Sequence, residues 1–180
     1  IGAIRGAAQL IAYELPLILA AVAVAMLAGT LSLVGIVEAQ REYWFVLVQP
    51  VGFLIFLVAS LAELSRTPFD MPIADSEIIF GAFTEYTGLK FAFFLLSEYA
   101  GIVVLSAIAA VLFLGGYLGP ILPGWMWMMA KIGGLSFVVI WLRATYPRLR
   151  EDQLQRFSWI VLIPLSLVNI LVTGLVKVMV

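Results

Sequence analysis

Five apolar runs, each long enough to cross a bilayer as a helix, constrain what this chain can fold into. A hydrocarbon core of about 30 Å needs roughly 20 helical residues. Leu, Ala and Val dominate the runs, which lack the strict alternation typical of membrane barrel strands. The sequence therefore predicts an all-α integral membrane protein, a bundle of about five transmembrane helices in one domain, with spans at 15–34, 45–62, 91–114, 125–144 and 157–180.

The composition supports a membrane protein and excludes several kinds of chemistry. Hydrophobic residues make up 64% of the chain, and its mean hydropathy is +1.13. Cysteine and histidine are both absent, which excludes disulfides, thiolate-held clusters, histidine-held haem or zinc, and a Ser-His or Cys-His nucleophile. We predict no metal site, and any redox centre must lie on another chain or arrive as a diffusible ligand. The net charge of -1 gives no indication of nucleic-acid binding.

The positions of the cations predict the orientation. If the spans alternate, seven cations fall on one side and three on the other; the seven are Arg5, Arg66, Lys90, Arg143, Arg148, Arg150 and Arg156. By the positive-inside rule this side is cytoplasmic. A long polar loop at 63–85 then lies in the cytoplasm. Lys131 is expected to reach the outer interface or to pair within the bundle.

The 63–85 loop is unusually acidic and contains a single cation, Arg66. Pro68 and Pro72 make its first part rigid and non-helical. Apolar residues such as Phe69 interleave with the acids, which favours a folded pocket wall over a solvated connector. Arg66 is expected either to pair with an acid three residues earlier or to point into this pocket. The acids are Glu63, Asp70, Asp75, Glu77 and Glu85.

Glu98 is the acid placed deepest in a predicted span. It lies eight residues after Lys90, about 12 Å along a helix and inside the hydrocarbon zone. A carboxyl there has to be paired, protonated or facing water. We favour proton handling, with a structural hydrogen bond or ion pair, for example to Lys131, as the alternative. Glu14 and Glu63 lie at predicted helix ends, where reaching the headgroups would also explain a charge.

Several motifs resemble those of one family. They are RGAAQ at 5–9, YE at 13–14, AELSRTPFDMP at 62–72, TEY at 84–86, SEY at 97–99, WLRATYPRLR at 141–150 and DQ at 152–153. Together they resemble the quinone-site membrane subunit of respiratory complex I, the NADH-quinone oxidoreductase, which is called NuoH in bacteria. The resemblance covers nearly the whole chain and corresponds to the later helices of that subunit, so we expect a C-terminal part of a longer protein.

The resemblance implies functional residues at matching positions. Arg66, Phe69 and Asp70 would lie near the entrance or the headgroup end of a quinone cavity. A path of carboxylates would run from the loop into the membrane through Glu14, Glu63, Asp75, Glu77, Glu85 and Glu98. Asp75 replaces a glutamate of the family, Ile73 stands where the family commonly has an acid, and Phe83 stands where it often has a histidine.

The function implied is that of a subunit of a proton-pumping translocase in the bacterial inner membrane. It would line the quinone cavity and couple quinone reduction to proton movement, with quinone as substrate. Iron-sulfur clusters and flavin would lie on other subunits, which are its expected partners together with membrane lipid. The alternatives are a homologous subunit of a membrane-bound hydrogenase or ferredoxin-linked complex, a stand-alone ion transporter, and a purely structural anchor.

Overall fold

The computed structural model describes residues 2–70, 85–120 and 123–179. Its helices are α1 (Gly2–Ala28), α2 (Leu33–Ala39), α3 (Phe45–Val48), α4 (Pro50–Glu63), α5 (Leu89–Phe113), α6 (Gly124–Thr145), α7 (Glu151–Phe157) and α8 (Ile163–Met179). A π-helical turn, Ser158–Leu162, joins α7 and α8 into one long helix. The described part of the chain contains no β-strand. The all-α prediction is confirmed.

Four of the predicted spans are long apolar helices within the described ranges: Ile4–Ala28, Leu89–Phe113, Gly124–Thr145 and Glu151–Met179. The first of them begins much earlier than the predicted span at 15–34. It also ends earlier, six residues before the predicted end at residue 34. Its early start brings the polar Gln9 and Glu14 into the helix. It ends at Ala28 because Gly29 has a φ of +71°, a left-handed conformation that does not continue a right-handed helix.

The span predicted at 45–62 is divided into α3 and α4. The break falls at Gln49, whose φ and ψ are -127° and 61°. Pro50 follows and opens α4, because a proline suits the first position of a helix but disfavours helical geometry in the residue before it. As a result α4 is 14 residues long, shorter than the four helices that are long enough to cross a membrane.

The helices pack in two groups that meet along α4 and α5. Helix α1 packs mainly against α4 and α8, and α5 packs mainly against α6. The buried core is aliphatic and aromatic, with Tyr13, Phe56 and Phe113 among its largest members. Large apolar side chains also cover the outside of the bundle; Leu96 is 65% exposed and Leu171 is 62% exposed. An apolar exterior of this kind is what a surrounding bilayer requires.

Candidate functional site

Arg66 and Glu98 form an ion pair inside the bundle. Their side chains meet at 3.0 Å between Arg66 Nη2 and Glu98 Oε2, and they are only 10% and 22% exposed. The guanidinium carbon of Arg66 also lies 4.6 Å from the centre of the Tyr99 ring, a cation–π contact. Glu98 is therefore paired, which is one of the three states open to a carboxyl at this depth.

Two of the pairings that the sequence left open do not form. Arg66 pairs with Glu98 rather than with Glu63, three residues before it. Glu98 does not pair with Lys131, whose ammonium donates to backbone carbonyls at the opposite end of the bundle. The physical reason is the direction of α5: Glu98 lies nine residues from its start, whereas Lys131 reaches the carbonyls at its end.

The chain turns sharply after α4 and carries Arg66 into the bundle. Ser65 has a φ of +47°, and the Arg66 N–H points back toward Leu61 O at 3.5 Å. A tight turn follows, in which the Phe69 N–H donates to Arg66 O at 2.7 Å. The segment before α7 supports it, since the Leu149 N–H donates to Pro68 O at 3.2 Å. Arg66 is thus held by backbone on both sides.

Gln9 ties this turn to α1. Its side-chain amide Nε2 donates to Ala62 O at 2.7 Å and to Phe69 O at 2.8 Å, and Gln9 is 2% exposed. One buried side chain therefore joins the end of α4 to the loop that follows it. Both bonds are accepted by backbone carbonyl oxygens. Gln9 therefore holds the turn in place independently of the side chains in the turn.

Phe69 packs against α1 through Tyr13. Their ring centres are 5.4 Å apart with an interplanar angle of 67°, the edge-to-face geometry that aromatic pairs prefer. The Tyr13 hydroxyl donates to Leu154 O at 3.0 Å, which joins α1 to α7. Phe69 is 4% exposed. It forms part of an aromatic wall beside Arg66.

Further charges act on the pair. Asp70 repels and Arg143 attracts the Glu98 carboxylate, in addition to the attraction of Arg66. The Arg143 side chain also interacts with the Tyr99 hydroxyl, through a hydrogen bond and through its charge. Charged groups from α5, from α6 and from the turn after α4 thus lie close together. We refer to this end of the bundle as the Arg66 end.

The remaining predicted acids lie in different places. Glu14 and Glu63 are close enough to repel each other electrostatically, and both are exposed. Glu85 is exposed in the turn before α5. Asp75 and Glu77, together with Ile73 and Phe83, lie outside the described residues.

Hydroxyl groups lie deeper between the helices, beyond Glu98. The Ser136 hydroxyl of α6 donates to Ser106 Oγ of α5 at 3.2 Å. Ser106 and Ser60 line a cavity of about 10 Å³, whose other walls are aliphatic. That volume matches the lower limit for a single water molecule. Ser106 is eight residues beyond Glu98, about 12 Å along α5.

Four residues of the site had been given no role from the sequence: Gln9, Tyr13, Tyr99 and Arg143. A signal existed for the first two. Gln9 and Tyr13 are four residues apart, so they share one face of a helix, and each places a polar group in an apolar setting. Tyr99 and Arg143 gave no comparable signal, because their roles depend on the approach of Arg66.

The fold and the buried pair define an all-α integral membrane protein with ionisable groups inside its helical bundle. A family model described as NADH dehydrogenase matches residues 1–174. The chain belongs to the NADH dehydrogenase family.

Curated relatives agree with this assignment. The chain is 51% identical over 182 residues to the H subunit of the NADH-quinone oxidoreductase of Geobacillus kaustophilus (strain HTA426), an alignment that covers 98% of this chain and 54% of the relative. It is 50% identical to the protein of the same name from Anoxybacillus flavithermus (strain DSM 21510 / WK1), with the same coverage. The chain thus spans about half the length of these relatives.

Proposed function

We propose that this chain is part of the membrane subunit of a bacterial NADH-quinone oxidoreductase, in which it lines the quinone cavity and couples quinone reduction to proton translocation. The observation that carries the proposal is the Arg66–Glu98 ion pair inside the bundle. The family and the named relatives support the complex. The chain lacks cysteine and histidine, so iron-sulfur clusters would lie on partner subunits, where we also expect the flavin.

The Arg66 end is the proposed quinone side and faces the cytoplasm of the inner membrane. Phe69 and Tyr13, which are 4% and 1% exposed, form a buried aromatic wall that would support the quinone cavity from behind. Arg66 is the cation beside that wall and can donate to a quinone carbonyl oxygen. Asp70 borders the same turn. Since Gln9 and Leu149 hold the backbone of this segment, the wall is positioned before a ligand arrives.

The ion pair is the proposed coupling element. Reduction of the quinone creates negative charge, which competes with the Glu98 carboxylate for the Arg66 guanidinium. Charges about 4 Å apart in an effective dielectric of about 20 attract by about 4 kcal/mol. Loss of that attraction favours protonation of the carboxylate. Quinone reduction at the cavity thereby causes the Glu98 carboxylate to take up a proton inside the membrane.

Other polar groups extend the proposed path on both sides of this pair. On the loop side they are Glu14, Glu63, Asp75, Glu77 and Glu85. On the membrane side no acid follows Glu98 in α5, and the next polar groups are the hydroxyls of Ser106 and Ser136. A water molecule in the cavity beside Ser106 would add a further step.

Two measurements on the native complex test this function. Purification through a tag on this chain, followed by mass spectrometry, should recover flavin and iron-sulfur subunits together with NADH-dependent quinone reduction. Recovery of hydrogenase subunits, or of no redox subunit, would contradict it.

The second measurement is labelling with a photoreactive quinone analogue. It should modify the peptide that contains Arg66, Phe69 and Asp70, and excess quinone should suppress the labelling. Modification that is not suppressed by excess quinone would argue against a cavity at this end.

A further inference from the structure

The ammonium group of Lys131 is enclosed by backbone oxygens. Lys131 lies in α6 and is 9% exposed. Its Nζ donates to Leu114 O at 2.6 Å, Gly116 O at 2.9 Å and Leu118 O at 2.8 Å. A lysine ammonium has three N–H donors, so all three are used. These partners are carbonyl dipoles, and within residues 2–70, 85–120 and 123–179 no carboxylate forms an ion pair with Lys131, so the lysine charge is not cancelled there.

The end of α5 is shaped to direct these oxygens inward. After the helix ends, Gly115 and Gly116 have φ values of +70° and +50°, which reverse the chain. The Gly116 N–H returns to Ala110 O at 2.9 Å, and the Gly115 N–H donates to Gln40 Oε1 at 3.0 Å. Gln40 is 1% exposed. The three carbonyls are thus held by the turn and by a buried glutamine, independently of Lys131.

Two indole rings cover the same group. Lys131 Nζ is 4.7 Å from the centre of the Trp44 ring and 5.7 Å from that of Trp127. Both distances are within the range of cation–π attraction. We call this enclosure, formed by the three carbonyls and two indoles, the Lys131 cradle.

Oxygens that converge in this way on one point resemble a cation site. Rings of backbone carbonyls replace the hydration shell of ions in selective channels. The cradle also lies at the negative end of the α5 helix dipole. Leu114, which directly follows α5, is sixteen residues beyond Glu98 and about 24 Å away, so the cradle is at the end of the bundle opposite to Arg66.

We propose that Lys131 is a tethered cation that fills this carbonyl site and closes this end of the bundle to protons and alkali cations. Its uncancelled charge repels other cations, and its three bonds compete with water and ions for these oxygens. This role goes beyond the proposed coupling function. It concerns passive permeability, which can be measured without NADH or quinone.

The test is the passive cation conductance of the whole complex in sealed proteoliposomes. Lys131→Met keeps the length of the side chain but removes its charge and donors. We expect a several-fold faster decay of an imposed pH gradient and faster potassium flux, with unchanged chloride flux. The Lys131→Arg complex should remain impermeable to protons and potassium because arginine retains a charged donor. Lys177→Met is the positional control, since Lys177 is an exposed lysine that donates to Leu27 O at 2.9 Å, and it should also remain tight.

A chemical rescue covers the case in which Lys131→Met does not assemble. Lys131→Ala lacks three carbons and the ammonium, which propylammonium can supply. Recovery of assembly and of a tight membrane with propylammonium, but not with propanol, supports the proposal. An assembled Lys131→Met complex with wild-type proton and potassium fluxes overturns it. So does an equal rise in chloride flux, or a failure of propylammonium to rescue Lys131→Ala.

Discussion

Arg66 Nη2 lies 3.0 Å from Glu98 Oε2, and the two side chains come from different segments of the bundle. Neither residue could be paired with the other from sequence spacing, since 32 positions separate them. Their contact joins the turn after α4 to α5. It also places the proposed quinone contact and the proposed proton carrier side by side.

A double-mutant cycle should detect this contact. Arg66→Gln and Glu98→Gln should each lower the stability of the complex, and the double variant should lose less than the sum of the two. The expected coupling is about 0.5–3 kcal/mol, the usual range for residues in one charged network. Thermal unfolding of the detergent-purified complex supplies the measurement.

The Arg5–Glu151 pair provides the matched comparison. Its atoms meet at 2.9 Å, but the side chains are 25% and 36% exposed. Exposed pairs contribute about 0.2–1 kcal/mol, so its coupling should be the smaller one. A larger coupling at Arg5–Glu151 than at Arg66–Glu98 would contradict the burial argument.

Gln9→Leu should raise the KM for quinone several-fold and lower stability by about 1–3 kcal/mol. The change removes the donor to Ala62 O and Phe69 O, at about 0.5–1.5 kcal/mol for each bond. Gln9→Leu therefore loosens the turn that carries Phe69. Steady-state kinetics with varied quinone and thermal unfolding give the two readouts.

Gln49→Leu is the control for burial. Gln49 is 5% exposed and its amide donates to the Thr173 hydroxyl, between α4 and α8 and away from the Arg66 end. Loss of this hydrogen bond in Gln49→Leu should lower the stability of the complex and leave the KM for quinone unchanged. A Gln9→Leu variant with wild-type KM would show that the turn after α4 does not depend on this side chain.

Gly116→Ala should destabilise the turn at the Lys131 cradle by about 1–2 kcal/mol. Its φ of +50° is unfavourable for a residue with a Cβ atom. That atom would also lie 2.9 Å from a methyl group of Val37. Gly133→Ala is the matched change, because nothing lies within 4 Å of a Cβ at this helical position. It should be neutral or stabilising, and equal losses of melting temperature for the two variants would contradict the strain argument.

Much of the fold could be predicted from the sequence, because hydrophobic length identifies membrane helices directly. The limits of α5 and α6 differ by at most two residues from the predicted spans at 91–114 and 125–144. Hydropathy failed where polar residues continue a helix, as at Gln9 in α1. It also failed at Gln49, where a local break at Pro50 divides an apolar run into two helices.

Two residues of the site were singled out from the sequence, but their pairing was not predicted. Glu98 stood out as an acid in an apolar run, and Arg66 as the single cation of an acidic loop. Which of them would meet depends on how the chain turns at Ser65, and a φ of +47° at a serine has no sequence signature. Lys131 was expected at the outer interface or paired within the bundle, but its partners could not be named from the sequence, since backbone carbonyls carry no signal in the residue types.

The most direct test of the account is the proton yield of a Glu98→Gln complex. The protons translocated per NADH oxidised are measured in sealed vesicles, with Glu38→Gln as the control, since Glu38 is an exposed acid on α2. A carboxyl that carries the coupled proton cannot be replaced by an amide, so Glu98→Gln should pump fewer protons per NADH while Glu38→Gln pumps normally. Unchanged pumping and unchanged quinone reductase turnover in an assembled Glu98→Gln complex would remove Glu98 from the path.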